Sequence, residues 1–186
     1  MTTRAEHRPT DDRSAIERQV YLAWFAALAV AIHSAEALIP SPLPGVKLGL
    51  ANAVTLVILL TDSARAALVV TLVRIFVGAL LIGTFLGPGF LLSLGGGLAA
   101  WVVMAVGRPL SGAVLSPLGL SVLGALGHIL AQIAIVYWLL IPNAGLLHLV
   151  PTLVIAAIVT GTATGLVATK LVVIFHRLQT ETPFSV

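Results

Sequence analysis

Residues 118–141 read LGLSVLGALGHILAQIAIVYWLLI, twenty-four positions without one charged side chain. As an α-helix this stretch extends about 36 Å at 1.5 Å per residue, enough to cross the roughly 30 Å hydrocarbon core of a bilayer. It predicts a transmembrane helix. Working outward, further apolar segments fall at about 20–39, 46–61, 66–86, 89–106 and 146–175, which makes six helices in all. The segment at 46–61 is short, because sixteen residues reach only about 24 Å. A tilt, a kink or shelter by its neighbours is expected there. Before it, Pro40-Ser41-Pro42-Leu43-Pro44-Gly45 places three prolines in five residues and ends the first helix in a stiff loop.

Composition agrees with this reading. Of 186 residues 59% are hydrophobic and 9% charged, and mean hydropathy is +1.09; soluble domains carry about 25% charged residues. The length leaves room for one membrane domain and excludes a separate soluble catalytic domain. With no cysteine, disulfides, iron–sulfur clusters, thiolate metal sites and cysteine nucleophiles are excluded. Residues 1–19 hold four arginines and four acidic residues and no apolar run, and are expected as a mobile cytoplasmic tail. The expected organisation is therefore tail 1–19, six-helix domain 20–175 and a second cytoplasmic tail 176–186.

The net charge of +3 is spread along the chain, so topology explains it better than nucleic-acid binding. With the N-terminus inside, Arg4, Arg8, Arg13, Arg18, Arg65, Arg108, Lys170 and Arg177 share one side, Lys47 lies outside and Arg74 lies within a helix. That asymmetry is the positive-inside pattern of an even number of crossings, and predicts an all-α bundle with both termini in the cytoplasm. A cysteine at Ser41 should accordingly react with a membrane-impermeant reagent added to intact cells, and one at Ser14 or Ser111 should not. Labelling at Ser14 would reverse the orientation.

Polar residues inside these segments are the candidates for chemistry. Glu36 and Arg74 are the ionisable groups most clearly inside the hydrocarbon region, where a charge costs at least about 2.5–3.5 kcal/mol on insertion scales. One reading is a structural ion pair. The other is a ligand site, because His33, Lys47, Asn52, His128 and Gln132 fall at similar depths and exceed what one pair requires. His128 and Gln132 share a face of the fifth helix with Gly124, all four residues apart. Lys47 at an interface would instead extend towards the headgroups. Ala23, Ala27, Ala31 and Ala35 form a small-residue stripe nearly opposite His33 and Glu36, which either packs within the chain or docks a partner. Thr160, Thr162 and Thr164 are expected to bond their own helix backbone, while Gly95, Gly96, Gly97, Gly161 and Gly165 permit close helix contact.

Several chemistries have no residues to run them. The three aspartates, Asp11, Asp12 and Asp62, make no Asp-rich diphosphate–magnesium motif, and no phosphate loop, His-Glu-x-x-His sequence or nucleophile elbow occurs. No enzymatic activity, cofactor or metal site is expected.

Ala31-Ile32-His33-Ser34-Ala35-Glu36, Pro44-Gly45-Val46-Lys47-Leu48-Gly49-Leu50-Ala51-Asn52 and Gly124-Ala125-Leu126-Gly127-His128 resemble the Gx transporter family, often labelled heptaprenyl diphosphate synthase component I. The resemblance covers about residues 20–175. It implies a multi-pass protein of the bacterial inner membrane, related to the substrate-binding S components of energy-coupling-factor vitamin transporters. Those six-helix proteins open a small-molecule pocket outward beneath the loop after helix one, here residues 40–45, and dock through a small-residue stripe on a transmembrane coupling subunit driven by ATPases. On this basis His33, Glu36, Lys47, Asn52, Arg74, His128 and Gln132 are expected to bind a small anionic organic solute, and the alanine stripe to dock. Cobalt and nickel relatives use a histidine directly after the initiator methionine, where this chain has Thr2, so metal import is not implied. The competing expectation is an accessory membrane subunit of a flavin-linked redox or prenyl diphosphate and quinone synthesis system.

Overall fold

The computed structural model describes residues 9–38, 50–112, 114–140, 142 and 144–181, with side chains described for 16–36, 51–112, 114–140, 142 and 145–174. The six expected helices are present: α1 (Pro9–Leu38), α2 (Leu50–Thr61), α3 (Ala64–Ile82), α4 (Pro88–Gly107), α5 (Pro117–Ile135) and α6 (Val150–Glu181). Among the described residues no strand forms. Four spans, Ala64–Ile82, Pro88–Leu110, Pro117–Leu140 and Gly145–Ile174, are long and apolar enough to cross a membrane. Their outward faces are apolar too: Leu81, Trp138, Ile155 and Val159 are all exposed. A bundle whose outside is as apolar as its core is built for lipid.

The element ends differ from the hydropathy reading in instructive ways. α1 starts at Pro9, before the apolar segment begins near Val20, and α6 runs on to Glu181. Hydropathy locates what lies in lipid, and a helix continues past that boundary where its residues permit. At the N-terminal end of α1, Asp11 and Asp12 complement the helix dipole. α3 stops at Ile82, short of the apolar Leu86, because Gly83 adopts φ 73° and its N–H returns to the carbonyls of Ala79 and Leu80. α5 continues through a π-helical turn, Val136–Leu140.

α2 is the centre of the bundle. From Ala51 to Leu59 every residue except Asn52 is buried, and α2 touches each of the other five helices. Twelve residues span only about 18 Å, and protein rather than lipid covers them. Shelter is therefore how the short segment is accommodated. α5 and α6 meet through glycine: a Cβ on Gly161 would lie 2.9 Å from the Val122 Cα, and one on Gly165 would lie 2.8 Å from the Leu118 Cα. Both helices approach at backbone distance, as small residues allow.

One end of the bundle is fastened by charge. Arg18 Nε and Nη2 donate to the Asp62 carboxylate at 2.7 Å each, while Arg108 Nη2 donates to the Asp62 carbonyl at 2.9 Å. Nearby, the Tyr21 and Thr61 hydroxyls are 3.1 Å apart. This fixes α1 and α4 to the α2–α3 turn. The Arg18 hydrogen bond is the chief cause holding the Asp62 carboxyl below its ordinary range. A depressed folded-state value stabilises above the unfolded value, near 3.9, and is lost as pH falls through the folded value. Asp62→Asn should lower the melting temperature in detergent at pH 7 by a few degrees, and that difference should shrink below about pH 4. An unchanged melting temperature at pH 7 would show the clamp to be idle.

Candidate functional site

α2 and α3 are joined across the core by two polar rungs. Arg74 Nη2 donates to Asn52 Oδ1 at 3.0 Å, and three residues along each helix the Thr55 and Thr71 hydroxyls are 3.0 Å apart. Thr71 donates to the Ala67 carbonyl at 2.8 Å, so Thr55 supplies the proton between the two hydroxyls. Residue numbers rise along one helix as they fall along the other, which is the register of an antiparallel pair. A neutral hydroxyl bridge closes on itself; the upper rung carries a charge and does not.

Around Arg74 the other polar groups gather. A cavity of about 20 Å³ is lined by His33 and Glu36 from α1, Asn52 from α2, Arg74 and Ile75 from α3, Ser93 from α4 and His128 from α5. Space of that size holds about one water molecule. His33, Glu36 and Arg74 are 6%, 7% and 4% exposed, so the charges lie deep in the bundle. Glu36 acts on Arg74 electrostatically, as the sequence reading of a pair requires. The guanidinium is nevertheless not saturated by protein: Arg74 Nε is buried without a hydrogen-bond partner among the described residues. A buried donor left unmade is costly and marks a place where another acceptor fits.

Glycines make this convergence possible. A Cβ on Gly78 would lie 2.6 Å from His33 Cδ2, one on Gly96 would lie 2.7–2.9 Å from three atoms of the His128 ring, and one on Gly97 would lie 3.6 Å from Arg74 Nη2. The imidazoles and the guanidinium thus rest against bare helix backbone. The glycine run 95–97 is the floor of the site.

Of the seven expected site residues, His33, Glu36, Asn52, Arg74 and His128 line the one cavity. Gln132 is buried but is not among its lining side chains; its Nε2 donates to the Leu92 carbonyl of α4 at 3.3 Å. A buried amide takes the nearest acceptor, and close packing of α5 on α4 supplies one. Lys47 and the Pro40–Gly45 loop lie outside the described residues. Ser93 joins the site without having been expected, since a lone serine in an apolar helix ordinarily satisfies itself on its own backbone. Thr160 and Thr162 do so, bonding the Ala157 and Ile158 carbonyls at 3.3 and 2.7 Å.

The alanine stripe faces outward. Ala23, Ala27, Ala31 and Ala35 are exposed together with Val20, Trp24 and Leu28, whereas Ala29, His33 and Glu36 on the opposite side are buried. The stripe is not used for packing among the described residues of this chain.

Residues 25–171 match the family described as Heptaprenyl diphosphate synthase component I, and the chain belongs to that family. No curated protein and no solved structure matches it.

Proposed function

We propose that this member of the heptaprenyl diphosphate synthase component I family is a membrane-embedded binding subunit for a small anionic organic solute, acting with partner proteins. The observation that carries the reading is Arg74: a guanidinium buried at 4% exposure, held by Asn52 on one nitrogen, with Nε open and two imidazoles and a serine hydroxyl around the same cavity. Arginine in a dry site recognises carboxylate or phosphate through its fork of N–H donors, and His33, His128 and Ser93 add directional hydrogen bonds. An ionisable residue inside a membrane domain is a functional candidate by default. The cavity accepts only a water-sized guest in this conformation, so loading a solute requires the helices around it to part. No catalytic step is assigned to the chain's own residues.

Partners follow from two observations. The outward alanine face of α1 is a close-approach surface for another transmembrane helix, and the words "component I" in the family's description speak of at least one further component. Co-purification of ATPase-bearing membrane subunits supports solute transport; co-purification of a prenyl-synthesising protein supports the accessory role in prenyl diphosphate synthesis.

The binding claim is tested on the full chain in lipid nanodiscs by thermal unfolding with small carboxylates, phosphate esters and diphosphates. A ligand present at one hundred times its Kd adds about 2.7 kcal/mol of stability. Arg74→Gln and Arg74→Lys should both abolish the effect, the latter because an ammonium lacks the planar fork. Stabilisation that survives Arg74→Gln would sink the site.

A further inference from the structure

We propose that an anion enters the Arg74 site only together with a proton, which lodges on Glu36. The inference rests on the anion-binding reading above and concerns how the same site is regulated.

The charges lining the cavity already balance before any solute arrives. Arg74 from α3 is opposed by Glu36 from α1, and α2 and α4 contribute Asn52 and Ser93, which do not titrate. The remaining titratable groups on the cavity are His33 on α1 and His128 on α5; Lys47, just ahead of α2, lies outside the described residues. Glu36 and Arg74 are both deeply buried, and a space for one water gives no solvent shell to screen a further charge.

An anion that bonds the open Nε of Arg74 competes with Glu36 for the only described positive charge. Arginine keeps its proton, so the site would then hold two negative charges and one positive. Two anionic groups sharing a dry site do not both stay ionised. Proton uptake by the Glu36 carboxylate from water restores neutrality: one O–H bond forms on Glu36, the anion takes its place on the guanidinium, and the net charge brought into the membrane is zero. His33 and His128 are poorer acceptors for that proton, because their rings are packed against the backbone at Gly78 and Gly96, where an added charge finds no water.

The test uses the full chain in lipid nanodiscs with methanesulfonate and benzenesulfonate as probes, which stay ionised at every pH used, and acetate and benzoate beside them. With one proton taken up per anion, Kd for the sulfonates should rise about tenfold per pH unit from mildly acidic to mildly alkaline solution. Glu36→Gln should bind at alkaline pH at least as tightly as the unaltered protein does at acidic pH, with no slope, because the anion becomes the natural counter-ion of Arg74. His33→Gln and His128→Gln should weaken binding and keep the slope. In the unaltered protein, sulfonate addition should also produce the infrared carbonyl band of a protonated carboxyl group, which keeps the proposal open to refutation if Glu36→Gln does not fold. Binding with no pH slope and no such band, a slope that persists in Glu36→Gln, or a slope lost in His128→Gln would overturn the coupling while leaving the anion site standing. If no carboxylate or sulfonate binds at any pH, the anion site itself falls and the coupling with it.

Discussion

Gly165→Leu should leave little folded protein in a detergent extract. A single methyl at this position already meets the Leu118 Cα at 2.8 Å, the Ser121 Cβ at 3.0 Å and the Leu118 carbonyl oxygen at 3.3 Å, two of which are backbone atoms that cannot rotate away. Relief requires α5 and α6 to separate, and that removes contact along both helices. Overpacking a core costs about 1–3 kcal/mol where side chains can shift; with backbone on the other side the cost should reach the upper end or beyond, a large part of a total stability of about 5–15 kcal/mol. Gly161→Leu should behave alike, since its neighbours include the Val122 Cα at 2.9 Å. Gly89→Ala is the control, because nothing lies within 4 Å of the position. Size-exclusion profiles and melting temperatures in one detergent decide the matter. A monodisperse Gly165→Leu protein with unaltered melting would mean that α5 and α6 are not in backbone contact.

The second large effect concerns Glu36 and Arg74. Neutralising one member leaves the other charge buried without its partner, which costs about 3–5 kcal/mol in comparable pairs. Glu36→Gln and Arg74→Gln should each lower stability by that order, and the double variant should regain much of the loss, because an amide pair satisfies the same positions without charge. Ligand binding should not return with it. A double variant that bound solute normally would reduce the pair to scaffolding, and single variants of full stability would show that the two charges do not depend on each other.

Much of this architecture was legible because lipid is a demanding solvent. It forces spanning helices to be long and apolar, so residues 118–141 announce themselves, and any charge among them stands out. For the same reason His33, Glu36, Asn52, Arg74 and His128 could be picked out one at a time, although nothing in the sequence states that four different helices bring them to one cavity. Ser93, Thr55 and Thr71 gave no signal: hydroxyls that can bond their own helix are common in apolar segments, and only the fold decides which of them turn to a neighbour. Gln132 was misleading in the opposite sense, its amide being engaged by the α4 backbone. The helical residues before Val20 escaped because hydropathy finds the membrane boundary and says nothing about where hydrogen bonding stops.

The enclosure of α2 sets the order in which the protein must be made. This helix emerges from the ribosome second, yet its broadest contact is with α6, the last to appear. Until α6 arrives, a helix of about 18 Å has one flank facing lipid in a bilayer too thick for it, a mismatch that neighbouring lipids or helices must absorb. Membrane insertion therefore precedes completion of the core by most of the length of the chain. Shortened chains lacking α6 are expected to be cleared by membrane quality control rather than to persist as five-helix proteins.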